Sequence, residues 1–134
     1  MTKDGNSYIV AGMGSCTDTD IVIPAEHEGK PVTSIGDTAF SCRTGLTSIT
    51  LPDSVTEIGY SAFSGCSGLT SITLGNGVTE IAHSAFKGCS NLTNITFKGT
   101  QAQWKAIYKG NVWKYNTGSF SVRCTDGDIP KSQA

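Results

Sequence analysis

Charge is scarce in this sequence. Only 16% of the 134 residues are charged and the formal net charge is -1, so no basic field exists to hold a nucleic acid or an anionic membrane surface. Long apolar runs are missing too, and nothing approaches the roughly 20 residues that a membrane-spanning helix requires. Histidine occurs twice, at His27 and His83. Neither has a cysteine or carboxylate at ligand spacing on its own predicted element, so no metal or cofactor is implied. Asp18-Thr-Asp20 and Asp126-Gly-Asp128 lack the six-oxygen spacing and distal glutamate of a calcium loop and fit turns. His83 precedes Ser84 on the exposed side of its predicted turn, away from Cys66 and Cys89, so a cysteine–histidine nucleophile is not expected. These absences together predict that the protein is not an enzyme. An apolar core is also missing behind Met1-Thr-Lys-Asp-Gly-Asn6, so the start does not resemble a signal peptide. That leaves a cytoplasmic protein if the chain is complete, or a piece of a longer exported one, which the repeat-rich composition and abrupt start favour.

Serine and threonine, by contrast, supply 32 residues, a composition suited to strands with hydroxyl-rich surfaces. They sit inside a phrase written three times. The copies are Val32-Thr-Ser-Ile35…Ala39-Phe40…Leu46-Thr-Ser-Ile49-Thr-Leu51, Val55-Thr-Glu-Ile58…Ala62-Phe63…Leu69-Thr-Ser-Ile72-Thr-Leu74 and Val78-Thr-Glu-Ile81…Ala85-Phe86…Leu92-Thr-Asn-Ile95-Thr-Phe97. Every apolar landmark recurs 23 residues on. A fixed period of that size is the mark of a solenoid, whose coils bury their apolar faces only by stacking. Alternation at Ile49 and Leu51 predicts a strand with those two side chains inward. The intervening residues then face out: Ser48, Thr50, Ser71, Thr73, Asn94 and Thr96. Val55-Thr-Glu-Ile58 predicts a second short extended piece. Gly59-Tyr-Ser-Ala-Phe63 predicts one helical or 3₁₀ turn that sends the ring into the core.

The five cysteines, at 16, 42, 66, 89 and 124, are odd in number, so at least one has no partner within the chain. Cys66 and Cys89 follow their phenylalanines at the same offset and should stack. Parallel side chains one coil apart keep their Cβ atoms wider than a disulfide prefers, so reduced, buried thiols are expected. In the first copy Cys42 precedes the usual cysteine position and Arg43 occupies it, predicting an outward Arg43.

The repeat frays at both ends. Ile21-Val-Ile23-Pro24 matches the end of a copy, which makes residues 8–31 a degenerate first coil with strands at Tyr8-Ile-Val10 and 21–23 and a surface loop over 25–31. Residues 32–97 are the three repeats. Residues 98–128 predict a cap, with Thr100 capping a helix that carries Trp104, Ile107 and Tyr108 and a strand over 120–124. The chain then turns away into a polar tail at 129–134. Trp104, Tyr108, Trp113 and Tyr115 are predicted to form cap core in preference to a sugar-stacking platform.

Gly29-Lys-Pro-Val-Thr-Ser-Ile-Gly36, Ala62-Phe-Ser-Gly-Cys-Ser-Gly-Leu-Thr-Ser-Ile-Thr-Leu74 and Ala85-Phe-Lys-Gly-Cys-Ser-Asn-Leu92 resemble BspA-like leucine-rich repeats. Phe97-Lys-Gly-Thr-Gln-Ala-Gln-Trp-Lys-Ala-Ile107 with Cys124-Thr-Asp-Gly127 resembles a C-terminal module common after them. The resemblance covers about residues 8–129. It implies a mainly β, α/β solenoid of right-handed leucine-rich-repeat coils with a helix-strand cap. It also implies a bacterial or protist surface protein whose repeats adhere to host, matrix or other cell-surface proteins.

The expected function is therefore a non-enzymatic protein-binding module, with the outward ladder of Ser48, Thr50, Ser71, Thr73, Asn94 and Thr96 as its binding face. The ladder could equally be ordinary strand chemistry, since threonine is a good strand former. Two other readings compete: a structural spacer of a larger surface protein, and a small intracellular interaction or inhibitor module. Glu57 and Glu80, one coil apart, are expected to be solvated.

Overall fold

The computed structural model describes residues 2–3, 8–10, 19–27 and 29–134. The stretch between the first two predicted strands, 11–18 with Cys16, lies outside them. The elements in order are β1 (Thr2–Lys3), β2 (Tyr8–Val10), β3 (Asp20–Val22), β4 (Glu26–His27), β5 (Lys30–Ile35), β6 (Ser48–Thr50), β7 (Glu57–Ile58), β8 (Ser71–Leu74), β9 (Glu80–Ile81) and β10 (Asn94–Phe97). A helix, α1 (Gln101–Ala106), β11 (Tyr108–Lys109), β12 (Ser121–Cys124), β13 (Gly127–Pro130) and a 3₁₀ turn at Lys131–Gln133 follow.

Each 23-residue copy contributes one strand to each of two sheets. The first sheet runs β1-β2-β5-β7-β9-β11, with β4 on β5, and the second runs β13-β12-β10-β8-β6-β3. Successive coils pair in parallel and in register, Ile49 with Ile72 and Ile72 with Ile95. The molecule is a mainly β solenoid, as the repeat demands. No helix of the described residues is long and apolar enough to cross a membrane.

The repeated apolar positions form one continuous core, and Val32, Ile58, Phe63, Leu69 and Ile81 are all fully buried. Phe40, Phe63 and Phe86 stack face to face, centroids 5.3 Å apart and planes 1° and 5° from parallel. Trp113 meets Phe86 edge-on at 6.1 Å and ends the column. Trp104 and Phe120 complete the apolar end against Phe97 and Trp113. Cys66 and Cys89 stack as expected; their thiols donate to the Phe40 and Phe63 carbonyls at 3.0 and 3.1 Å, and both are free.

Two columns of left-handed residues turn each coil. Thr38, Ser61, Ser84 and Val112 have φ near 60° or just below, and so do Cys42 and Asn116, in line with Gly65 and Gly88. The hydrogen bonds repeat with them: Cys42 N–H donates to the Ser64 carbonyl, Gly65 N–H to Lys87 and Gly88 N–H to Tyr115.

The structure departs from expectation in four places. The loop after Pro24 is a hairpin in which Glu26 pairs Pro31 and His27 pairs Lys30, because Gly29, at φ 80°, adopts the left-handed backbone that a sharp reversal needs. The stretch around Ser61 is a non-helical turn, because a left-handed residue cannot continue a helix. The helix is shorter than predicted. Its N-terminus is the capping box that Thr100 suggests, with Thr100 Oγ1 accepting from Gln103 N–H at 3.1 Å, but Tyr108 has left it for β11. The predicted polar tail instead folds back as β13, pairing Val122 with Ile129, which is buried. Although the sequence period stops at Phe97, the backbone completes another coil: β11 pairs β9 and β12 pairs β10.

Candidate functional site

The outward face of the second sheet carries two rows of side chains. One row is Asp20, Ser48, Ser71, Asn94 and Ser121; the other is Val22, Thr50, Thr73, Thr96 and Arg123. All six residues expected from the sequence therefore lie side by side. The rows extend through β3 at one end and through β12 to Pro130 and Asp128 of β13 at the other, and the five parallel strands span about 19 Å at the usual inter-strand spacing. Sequence comparison of the three copies did not supply Val22 or Arg123. Their signal was the alternation at 21–23 and 120–124, which the register converts into row positions. Val22 is 70% exposed.

The hydroxyls on this face differ in what they bind. Ser48 Oγ donates to Asp20 Oδ1 at 2.6 Å, and Asn94 Nδ2 donates to Thr96 Oγ1 at 3.1 Å. The Asn94 Oδ1 atom is buried without a partner. No hydrogen bond among the described residues uses the Thr50, Ser71 or Thr73 hydroxyls. One residue before each strand a different threonine column is fully used. Thr47, Thr70 and Thr93 each donate to the carbonyl one coil earlier, at 2.8, 3.1 and 3.1 Å. Thr56 and Thr79 do the same on the other side of the coil. The repeated Leu-Thr-Ser-Ile phrase thus contains one structural hydroxyl and one outward hydroxyl, a division that spacing alone does not reveal.

The other candidates fare less well. Glu57 and Glu80 sit in register on neighbouring strands of the first sheet, with Ser34 before them and Tyr108 after. Trp104 and Trp113 are buried in the cap, but Tyr108 and Tyr115 are 65% and 58% exposed. The correction for Tyr108 follows from its strand position, where it faces out beside Glu80. His83 stacks on Tyr60 at 5.2 Å, away from the thiol column. A cavity of about 230 Å³ lies between the third coil and α1, lined by Asn76, Thr79, Phe97, Gln103 and Ile107. Among the described residues no group of three or more histidine, cysteine or acidic side chains could hold a metal ion.

A family model for the BspA-type leucine-rich-repeat region matches residues 14–121, in six copies. The chain belongs to this family. Six copies exceed the three that identical spacing displays, consistent with strands at both ends continuing the sheets. A leucine-rich-repeat protein of Bacteroides capillosus is 27% identical, with a TM-score of 0.72 over 91% of this chain and 89% of that one. A leucine-rich-repeat protein of T. pallidum is 31% identical, with a TM-score of 0.67 over 74% of this chain. This chain spans about half of its length, 49%. A leucine-rich cell surface protein of Faecalibacterium prausnitzii is 25% identical, with a TM-score of 0.58 over 94% of this chain and 40% of that one. A search of curated proteins finds no match.

Proposed function

We propose that this BspA-type solenoid is a non-enzymatic protein-binding module of an adhesin-like protein displayed at the cell surface or secreted. It engages host, matrix or other cell-surface protein through Ser48, Thr50, Ser71, Thr73, Asn94 and Thr96. The observation that carries the reading is the contrast between the two threonine columns. Thr47, Thr70 and Thr93 spend their hydroxyls on the coil stack, whereas the Thr50, Ser71 and Thr73 hydroxyls make no hydrogen bond among the described residues and belong to the outward rows of the sheet. A parallel sheet offering hydroxyls at coil spacing suits the backbone and side-chain amides of a protein partner, and solenoids bind through such extended faces. The surface assignment draws support from the family and from the cell-surface description of the F. prausnitzii protein.

The test is biolayer interferometry of the whole chain against a panel of purified matrix glycoproteins. The triple variant Thr50→Ala, Thr73→Ala, Thr96→Ala should lose about tenfold in affinity, the sum of several modest hydrogen bonds, with an unchanged melting curve. Equal affinity in the variant would remove this face from the interaction. No binding to any member of the panel, with binding retained by longer family members, would favour the spacer reading instead.

A further inference from the structure

The C-terminal cap gathers three lysines that neither the repeat nor the strand face uses. Their ammonium groups each lie over an aromatic ring: Lys109 4.8 Å from the Trp104 centroid, Lys114 5.7 Å from Trp113 and Lys131 5.9 Å from Phe120. Each is also tied to backbone. Lys109 Nζ donates to the Trp104 and Ile107 carbonyls at 2.8 and 3.2 Å. Lys114 Nζ donates to the Lys131 carbonyl, and Lys131 Nζ to the Thr117 carbonyl at 3.1 Å. Thr117 Oγ1 closes the circuit on the Lys114 carbonyl at 2.8 Å. The Trp104 and Trp113 rings beneath Lys109 and Lys114 lie 5.9 Å apart.

Each of these four ammonium bonds goes to an uncharged carbonyl. An ammonium has three donors, so Lys114 and Lys131 each keep two and Lys109 keeps one. Burial, and then the Lys114 charge, lowers the Lys109 pKa; burial, and then Lys131, lowers that of Lys114. The like charges are thus close enough to repel one another, and no ion pair among the described residues offsets them. Residues 98–134 also hold six of the ten cationic side chains of the chain and only two of its eleven acidic ones, Asp126 and Asp128.

We propose that this end of the solenoid is an oxyanion site in which Lys114 and Lys131, flanked by Lys109, bind a sulfate or phosphate group. Flexible surface lysines lose rotamer freedom when they bind; these are already held by rings and carbonyls, so less is lost. A tetrahedral oxyanion accepts several N–H groups at once and relieves the mutual repulsion. The group can be a free ion or an ester on a polysaccharide, since the chemistry presented to the lysines is the same. The site shares no residue with the strand face, so either proposal can fail alone.

The experiment is a ¹H–¹⁵N titration of the whole chain with sodium sulfate, sodium phosphate and dextran sulfate, each against sodium chloride at equal ionic strength. Saturable shifts should cluster at the amides of Lys109, Lys114, Thr117 and Lys131. Affinity should fall about tenfold in Lys114→Gln and in Lys131→Gln, and remain unchanged in Lys105→Gln, on exposed helix surface. General salting effects of sulfate act on all variants alike. Tighter binding of dextran sulfate per sulfate group identifies the polysaccharide ester as the source, and equal binding identifies the free ion. Shifts that do not saturate, that match chloride, or that scatter over the fold would overturn the proposal, and this wild-type map decides the matter even if a lysine variant fails to fold. Equal affinity in folded glutamine variants would overturn it too.

Discussion

Cys42 occupies a position that the coil reserves for glycine. Its φ of 61° falls in line with Gly65 at 76° and Gly88 at 80°, and a side chain there costs on the order of 1 kcal/mol. Cys42 is exposed and its sulfur, which lies beside Gly65 of the next coil, accepts one weak hydrogen bond, from Ser41 Oγ at 3.8 Å. Cys42→Gly should therefore raise stability by about 0.5–1 kcal/mol and the melting midpoint by roughly 2–4 °C. A lower midpoint by calorimetry would mean that the sulfur contributes packing the geometry does not reveal. The opposite case is Gly68, where an added Cβ would collide with the Thr44 carbonyl oxygen of the preceding coil. The Cys42 position was visible as a one-residue shift between copies, Cys42-Arg43 against Gly65-Cys66. Asn116 was not visible, because the cap reaches the same left-handed corner with a longer spacing and a different residue. Sequence identity marks only corners built the same way each time.

The phenylalanine column is the element on which the coils close. Phe63 is stacked on both sides, by Phe40 and Phe86 at 5.3 Å. Phe63→Ala should cost about 3–5 kcal/mol, as truncation of a fully buried aromatic does; a urea-unfolding loss under about 1 kcal/mol would contradict the stack. The thiol column beside it makes a pH prediction. The adjacent Cys66 sulfur, together with burial, holds the Cys89 thiol well above its ordinary 9.0. The folded chain keeps that proton while the unfolded chain releases it, so stability is full below 9.0 and falls as pH rises past it. The slope is about 1.4 kcal/mol per pH unit for one such group. Lys109 and Lys114, with lowered values, act in the opposite direction, since the folded state loses their protons first, and so does Cys66, whose thiol the hydrogen bond with Cys89 lowers. The comparison is thus wild type against Cys89→Ala above about pH 9, where the Cys89 contribution falls with rising pH and the lysine contribution is common to both. An equal slope in the two proteins would sink the thiol argument. These inward columns were fully legible, because the same apolar residue recurs at one spacing and burial follows from it. The binding face was half legible. Alternation placed Ser48, Thr50, Ser71, Thr73, Asn94 and Thr96 outward, but the distinction between a hydroxyl spent on the stack and a free one depends on which carbonyl lies across the coil gap.

For the whole molecule, the cap decides whether a stack of coils ends or continues. The strands β9 and β10 would otherwise present a row of unpaired backbone groups over an apolar interior, a template for pairing with another chain. The cap answers both needs, pairing β9 with β11 and β10 with β12 while Trp104, Trp113 and Phe120 cover the interior. The sequence disclosed the cover, through the size of those rings, but not the pairing, since Tyr108-Lys109 shares no apolar pattern with the copies it follows. The two functions can be separated. Trp104→Ala removes cover alone; it should lower stability by about 3–5 kcal/mol and leave the elution volume in size-exclusion chromatography unchanged, because both edges stay paired. Truncation after Gly99 removes cover and pairing together, and terminal coils of a solenoid are needed for solubility. It should shift the chain to larger species or precipitate it at concentrations where the full chain is clear. If the truncated chain instead elutes cleanly with a melting curve near that of the full one, the coils close their own end, and the C-terminal strands serve some purpose other than capping.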